Sequence, residues 1–194
     1  GGKLFQSAFG ADYQTGLWIT ASVVVAYVVL GGFLAVSLTD FVQGTIMAIA
    51  LVVVPYMAWQ GLPEGVSVTS ALNSIDPKMT SLFAGTTALG IISTAAWGLG
   101  YFGQPHIIVR FMAIRSVKEM PIARNICMVW MAITLSGALL VGLIGRVYSE
   151  SKGLTVADPE TIFIVLAGEL FAPVAVGFLL AAILAAIMST ISAQ

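Results

Sequence analysis

The chain has 194 residues, of which 59% are hydrophobic and 9% are charged, and its mean hydropathy is +1.01. Soluble domains carry about a quarter charged residues, so this composition excludes a water-soluble globular domain and indicates a membrane protein. Eight basic and nine acidic residues nearly cancel, which gives no electrostatic basis for binding nucleic acid. Because there is one histidine, His106, and one cysteine, Cys127, we expect neither a disulfide framework nor an enzyme built on metal clusters or histidine catalysis.

Five apolar stretches are long enough to cross a hydrocarbon core about 30 Å thick, which takes about 20 helical residues. They lie at about residues 17–38, 41–59, 82–102, 126–147 and 173–191, with a polar turn around Asp40 between the first two. The helix-start pattern Asp158-Pro159-Glu160 predicts a short external helix at about 159–171. Too little polar surface remains to cover five buried helices in a soluble fold. Residues 1–194 are therefore predicted to form one all-α, polytopic membrane domain, and the Gly1 start and the end at Gln194, directly after an apolar run, suggest a fragment of a longer protein.

The loop at 105–124 orients the predicted spans. It carries one acid, Glu119, against four basic residues, namely Arg110, Arg115, Lys118 and Arg124. The positive-inside rule places such a loop in the cytoplasm. By alternation, the first span runs from outside to inside, the Asp40 turn is cytoplasmic, segments 60–81 and 149–172 are external, and the fifth span ends inside.

The third span is interrupted near residues 95–105, where Gly98, Gly100 and Gly103 alternate with other residues and Pro105 closes the run. Broken helices build substrate sites in secondary transporters, because their half-helix ends present dipoles to charged ligand groups. Trp97 and Tyr101 are four residues apart and would share one helix face. Close packing of helices through small residues, with the aromatics at the membrane interface, explains the same pattern, and the residues alone favour that explanation.

The fifth span ends with hydroxyl side chains at Ser189 and Thr190. A sodium ion prefers oxygen ligands, and these hydroxyls with the carbonyl of Ala186 would supply about half of a coordination cage. Hydroxyls in membrane helices also bond back to carbonyls of the preceding turn, and the residues alone favour that reading. Asp40 is open to three interpretations: a solvated acid, the N-cap of the second helix, which the neighbouring residues favour, or a group in ion coupling.

Two segments resemble a known family. Gly10-Ala-Asp-Tyr13, followed by small and apolar residues and by Tyr27-Val-Val-Leu-Gly-Gly-Phe-Leu-Ala35, is similar throughout to the signature of the sodium:solute symporter family. Trp97-Gly-Leu-Gly-Tyr-Phe-Gly-Gln-Pro105, with the residues that follow to Ala113, and Met188-Ser-Thr-Ile-Ser192 resemble the branch of that family that carries proline. The resemblance covers essentially the whole chain.

This resemblance implies a five-plus-five inverted-repeat core, of which the chain would hold the fourth to eighth helices. It implies that Trp97, Tyr101 and Pro105, with the Gly98 and Gly100 backbone, bind substrate. It also implies that Ala186, Ser189 and Thr190 bind sodium, and that Asp40 is linked to sodium dependence. The first core helix, which completes both sites in the family, has no counterpart here, so the rest of the same polypeptide is expected to supply it and the fragment alone should not transport.

The expected function is sodium-coupled uptake of L-proline by alternating access across the plasma or inner membrane. Another small solute, such as a different amino acid, a vitamin or a monocarboxylate, is a rival within the family. A transporter-like sensory membrane domain and a structural membrane subunit are rivals of other classes. Sequence beyond Gln194, solute competition and ligand-dependent stabilisation would distinguish these possibilities.

Overall fold

The computed structural model describes residues 1–81, 83–101 and 103–193. The described residues form helices, turns and loops without a strand, which confirms the all-α prediction. Leu82 and Phe102, the ends of the predicted third span, and Gln194 lie outside these residues. The helices are α1 (Gly2–Phe9), α2 (Tyr13–Gln60), α3 (Val68–Ile75), α4 (Ala88–Tyr101), α5 (Pro105–Met112), α6 (Met120–Lys152), α7 (Ile162–Leu170) and α8 (Pro173–Ala193). The chain divides into two compact units, one of residues 1–68 and 132 onward, the other of residues 69–131.

The first signature segment begins as the turn between α1 and α2. Gly10 ends α1 with a φ of 65°, a left-handed conformation that glycine adopts without strain. Asp12 is the N-cap of α2, and its carboxylate accepts hydrogen bonds from the amides of Gln14 and Thr15 at 3.0 and 3.4 Å. Part of the segment that resembles the family signature therefore determines where α2 begins.

α2 contains 48 residues, and a straight helix of that length would measure about 72 Å, more than twice the thickness of a hydrocarbon core. The backbone breaks at Gly32, whose φ of 59° and ψ of −163° are essentially restricted to glycine. The predicted turn at Asp40 and its predicted N-cap role are corrected here, because helix continues through Asp40 and the break lies eight residues earlier. The chain bends where glycine permits an unusual backbone conformation, and hydropathy alone does not report that position.

Contacts with α8 show that both halves of α2 reach the same part of α8 and that the second half runs antiparallel to it. Tyr27, in the first half, contacts Met188, and Asp40, in the second half, contacts Ser192. Later in its sequence, the second half of α2 contributes Ala50 and Val54 to a buried cluster. α8 contributes Leu179 and Ala182 to the same cluster, and these residues precede Met188 and Ser192 along α8. The second half of α2 is thus antiparallel to α8, as expected for a helical hairpin with its bend at Gly32.

Two glycines on α6 allow α2, α6 and α7 to pack closely within the unit of residues 1–68 and 132 onward. A Cβ atom at Gly137 would lie 2.6 Å from the carbonyl oxygen of Leu51 on α2. A Cβ atom at Gly145 would lie 2.9 Å from side-chain atoms of both Ile162 and Leu166 on α7. These glycines allow the close helix contacts typical of membrane proteins. Leu166 is completely buried at the centre of the resulting cluster.

Three stretches of helix among the described residues are long and apolar enough to cross a membrane: Tyr13–Gln60, Val117–Lys152 and Pro173–Ser192. Large apolar side chains on them are exposed, with Leu30 at 88% and Val29 at 77%. Contiguous apolar surface of this kind matches a lipid or protein environment. The chain is a multi-pass membrane protein.

The second unit contains the interrupted helix. α4, with 14 residues, is shorter than a full span, and it ends at Tyr101. Gln104 has extended backbone angles, φ −77° and ψ 126°, and serves as the N-cap of α5, with Pro105 at the first helical position. Gly98 and Gly100 keep helical conformation inside α4, so the interruption lies after them, between Tyr101 and Pro105.

Candidate functional site

An aromatic pair lies on the last turn of α4. The ring centroids of Trp97 and Tyr101 are 5.7 Å apart, with an interplanar angle of 54°. Their spacing of four residues places both rings on one helix face, as the sequence predicts. Trp97 is 73% exposed and Tyr101 is 45% exposed. The pair therefore presents an open aromatic surface at the point where the helix ends.

The glycines beside this pair leave the helix backbone accessible. A Cβ atom built at Gly98 or Gly100 would meet no heavy atom of the described residues within 4 Å. Packing of a neighbouring helix against these glycines is thus not seen in the part of the chain that the structure describes.

The interruption between α4 and α5 exposes helix-terminal groups. The amides of Gly103 and Gln104 donate to the carbonyls of Gly100 and Tyr101 at 3.3 and 3.4 Å, which closes the end of α4. α5 then begins at Pro105, which has no amide hydrogen to satisfy. The N-terminus of a helix carries partial positive charge and favours an anionic group such as a carboxylate. Trp97, Tyr101 and Pro105 therefore combine apolar surface with an anion-favouring helix end in one stretch of chain.

The three oxygen groups predicted to bind sodium lie together near the end of α8. The hydroxyls of Ser189 and Thr190 both donate to the carbonyl of Ala186, at 3.0 and 2.8 Å. This back-bonding is the alternative that the sequence left open for these hydroxyls. It also brings both hydroxyl oxygens to within hydrogen-bond distance of the same carbonyl oxygen. A cation at that carbonyl would find two further oxygens beside it once the hydroxyl hydrogens rotated away.

Asp40 lies at the same end of α8. The hydroxyl of Ser192 is 3.4 Å from Asp40 Oδ1 and 3.1 Å from the carbonyl of Ser189, so these two acceptors compete for its single hydrogen. Tyr27 approaches from the other half of α2 and donates its hydroxyl to the carbonyl of Met188 at 3.3 Å. Sequence reasoning assigned no role to Tyr27 or Ser192, although both lie in the segments that resemble the family.

Each predicted group belongs to one unit of the structure. The aromatic pair and the interruption lie in the unit of residues 69–131, and Asp40 with the α8 oxygens lies in the other. The described residues contain no group of three or more His, Cys, Asp or Glu side chains that would hold a metal ion. The oxygen cluster on α8 is instead made of hydroxyls and carbonyls, the ligands that a monovalent hard cation accepts.

A cavity with a volume of about 600 Å³ lies between α6 and the second half of α2. Its lining is mostly aliphatic, with Leu51 and Leu140 among the lining residues, and its polar side chains are Ser136, Tyr56 and Trp59. It lacks the charged or carbonyl-rich lining that a zwitterion or a cation requires. None of the predicted site residues lines it.

An ion pair connects α1 to the segment before α7. The ammonium of Lys3 lies 3.0 Å from Asp158 Oδ2 and also bonds Glu160. The hydrogen bonds from Lys3 to Glu160 and then to Asp158 raise the pKa of Lys3. The pKa of Asp158 is lowered, first by the backbone amide of Glu160 and then by Lys3.

Comparison with known proteins gives a consistent result. The sequence model of the sodium:solute symporter family matches residues 1–194. Over its whole length the chain is 58% identical to the high-affinity proline transporter PutP of Bacillus subtilis (strain 168) and 55% identical to the osmoregulated proline transporter OpuE of the same organism. It is 54% identical to the sodium/proline symporter of Staphylococcus aureus. The chain spans 41%, 39% and 38% of these three relatives, and no solved structure matches it.

Proposed function

The chain belongs to the sodium:solute symporter family, and from this premise we propose that its protein couples the entry of sodium to the uptake of L-proline. The observation that carries the proposal is the identity of 54–58%, over the entire chain, to relatives named for proline transport. Because the chain spans about two fifths of those relatives, the transporting unit is the full-length polypeptide.

Sodium is proposed to bind at the carbonyl of Ala186 and the hydroxyls of Ser189 and Thr190. Their spacing places all three oxygens on one face of α8, and their shared hydrogen bonds of 2.8–3.0 Å support a common centre. Sodium binding would replace two hydrogen bonds to Ala186 by three ion–oxygen contacts. Further ligands, including those of the first core helix, are expected from the polypeptide outside residues 1–194.

L-Proline is proposed to bind at the interruption between α4 and α5. Its carboxylate would face the helix end at Pro105, where the dipole favours negative charge. Its apolar ring would lie against Trp97 and Tyr101, whose exposed faces offer contact area. The open backbone at Gly98 and Gly100 would let the solute approach closely.

The transport step follows from differential binding. Sodium at α8 would stabilise the conformation in which the solute site faces outward, and proline would therefore bind more tightly when sodium is present. The sodium gradient then drives proline inward as both ligands are released on the other side. By thermodynamic reciprocity, proline must increase the affinity for sodium by the same factor.

The proposed membrane orientation places segments 1–12 and 149–172 outside, and the Asp40 region, the end of α8 and loop 105–124 in the cytoplasm. Two contacts support the pairing of these segments. Lys3 bonds Asp158, which joins the two external segments, and Ser192 contacts Asp40, which joins two cytoplasmic ones. Labelling of single cysteines with a membrane-impermeant thiol reagent, in intact cells and in inside-out vesicles, tests the assignment.

The sodium site is tested with the double variant Ser189→Ala/Thr190→Ala in full-length protein reconstituted in proteoliposomes. The matched control is Ser37→Ala/Thr45→Ala, which removes one serine and one threonine hydroxyl that also bond back within a membrane helix. The α8 double variant should raise the sodium concentration for half-maximal proline uptake at least about tenfold. This estimate assumes that each lost hydroxyl ligand weakens sodium binding by about 1 kcal/mol. Sodium dependence equal to that of the control would reject the site.

The solute site is tested with Trp97→Ala against Leu99→Ala. Leu99 lies between the two aromatic residues in sequence, is 77% exposed and does not belong to the aromatic face. Trp97→Ala should raise the KM for proline while Leu99→Ala leaves it near the wild-type value. Competition by other amino acids, vitamins and monocarboxylates in the same assay identifies the solute, and strong competition by one of these over proline would reject L-proline as the substrate.

A further inference from the structure

Both halves of α2 contact the turns of α8 around Met188 and Ser192. From the first half, Tyr27 donates its hydroxyl to the carbonyl of Met188 at 3.3 Å. From the second half, Asp40 accepts from the hydroxyl of Ser192 at 3.4 Å, and the same hydroxyl is 3.1 Å from the carbonyl of Ser189. These polar contacts join residues that are more than 150 positions apart in the chain.

Both contacts depend on the bend at Gly32. Tyr27 precedes that bend by five residues and Asp40 follows it by eight, so a straight helix would separate the two side chains by about 20 Å along its axis. The bend instead lets them reach Met188 and Ser192, which are one turn apart on α8.

The contacted turns are those that carry the proposed sodium ligands. Met188 lies between Ala186 and Ser189, and Ser192 lies two residues after Thr190. A cation site needs its ligand oxygens fixed to within about 0.5 Å.

We infer that Tyr27 and Ser192 are positioning residues for the sodium site: they hold the turns of α8 at Met188 and Ser192 against the α2 hairpin so that the oxygens of Ala186, Ser189 and Thr190 converge. Neither residue is itself one of the proposed ligands. The inference rests on the sodium site proposed above. When these turns of α8 are already ordered, sodium binding loses less conformational entropy and the affinity for sodium is higher.

Two features separate positioning from a general structural role. Removing a positioning hydroxyl leaves every sodium ligand and the solute site in place, so it weakens sodium binding and leaves proline recognition at saturating sodium unchanged. A hydroxyl that merely stabilises the fold would alter the amount of folded protein and leave both affinities unchanged.

The test uses full-length protein in proteoliposomes with Tyr27→Phe and Ser192→Ala. The matched controls are Tyr56→Phe, whose hydroxyl accepts a hydrogen bond from Gln60 on its own helix, and Ser37→Ala, whose hydroxyl bonds back to Phe33. Each test variant should raise the sodium concentration for half-maximal uptake about two- to tenfold, the loss expected for one hydrogen bond. The KM for proline at saturating sodium should stay at the wild-type value. Ser192→Thr keeps the hydroxyl, so its sodium concentration for half-maximal uptake should equal that of the wild type.

A second measurement needs no transport. Sodium should protect the purified full-length protein against thermal unfolding, and Tyr27→Phe should shift the sodium concentration at half-maximal protection by the same factor. If the wild type is protected by sodium but does not take up proline, the proposed solute fails, and the protection assay decides the inference: a shift for Tyr27→Phe but not for Tyr56→Phe supports positioning, and equal values overturn it. If wild-type uptake depends on sodium and both test variants match their controls in both assays, the positioning inference is overturned.

Discussion

The close contact between α6 and α2 yields a prediction with an internal control. Gly137→Ala would place a methyl carbon 2.6 Å from the carbonyl oxygen of Leu51 and 2.9 Å from its Cβ atom. Because the nearest atom belongs to the backbone, a change of side-chain rotamer at Leu51 cannot relieve the collision, and one helix must move. Gly142→Ala on the same helix meets no heavy atom of the described residues within 4 Å.

The magnitude follows from two opposing effects. Alanine is favoured over glycine in a helix interior by roughly 1 kcal/mol, and this gain applies to Gly137 and Gly142 alike. Overpacking of a close contact costs about 1–3 kcal/mol, and that cost applies to Gly137 alone. The difference in unfolding free energy between the two variants therefore isolates the collision, at about 1–3 kcal/mol in favour of Gly142→Ala.

The assay is thermal unfolding of purified full-length protein, followed by size-exclusion chromatography after heating at a fixed rate. Gly137→Ala should unfold at a lower temperature than Gly142→Ala, because only Gly137→Ala carries the cost of the collision. Gly137→Ala should also lie at or below wild type, and Gly142→Ala at or above it. Equal midpoints for the two variants would refute the close approach of α6 and α2.

The structure makes three further predictions, all measurable as unfolding midpoints of the same preparation. Ser149 is 1% exposed and its hydroxyl has no hydrogen-bond partner among the described residues, so Ser149→Ala should stabilise the protein by about 1 kcal/mol, and a lower midpoint would contradict this. Gly32→Ala forces alanine into φ 59° and ψ −163° and should destabilise by about 1–3 kcal/mol, whereas an unchanged midpoint would mean that the bend does not require glycine. Lys3→Ala removes the ion pair with Glu160 and Asp158. The pKa of Asp158 is lowered from 3.8 and the pKa of Lys3 is raised from 10.5, so the loss of unfolding free energy in Lys3→Ala should be constant between pH 3.8 and pH 10.5. That loss should vanish as acid protonates Asp158 or as strong base deprotonates Lys3. A difference between wild type and Lys3→Ala that persists below the folded-state pKa of Asp158 would exclude the ion pair as its cause.

The architecture was largely predictable because a membrane imposes length and hydropathy on each helix. The all-α class followed from composition, and the interruption before Pro105 followed from the glycine and proline pattern. The position of the bend in α2 could not be predicted from the sequence. Asp40 is the polar residue between two apolar stretches, so hydropathy places the turn there and not at Gly32. Gly32, where the chain actually bends, looks in sequence like any other glycine of a membrane helix.

The candidate site was predictable only where its residues lie close in sequence. The four-residue spacing of Trp97 and Tyr101 fixes their shared face, and the spacing of Ser189 and Thr190 brings both hydroxyls to one carbonyl. The contact between Ser192 and Asp40 could not be predicted, because it depends on how a distant helix packs. Local periodicity carries no information on that packing.

Coupled flux tests the central claim most directly. Full-length protein is reconstituted in proteoliposomes with equal sodium on both sides, and an inward gradient of proline is imposed while labelled sodium is followed. If proline and sodium move together through the proposed sites, labelled sodium accumulates inside above its equilibrium level, and the Ser189→Ala/Thr190→Ala variant shows far less accumulation. If proline enters down its gradient while sodium stays at equilibrium in the wild type, sodium-coupled proline symport is contradicted.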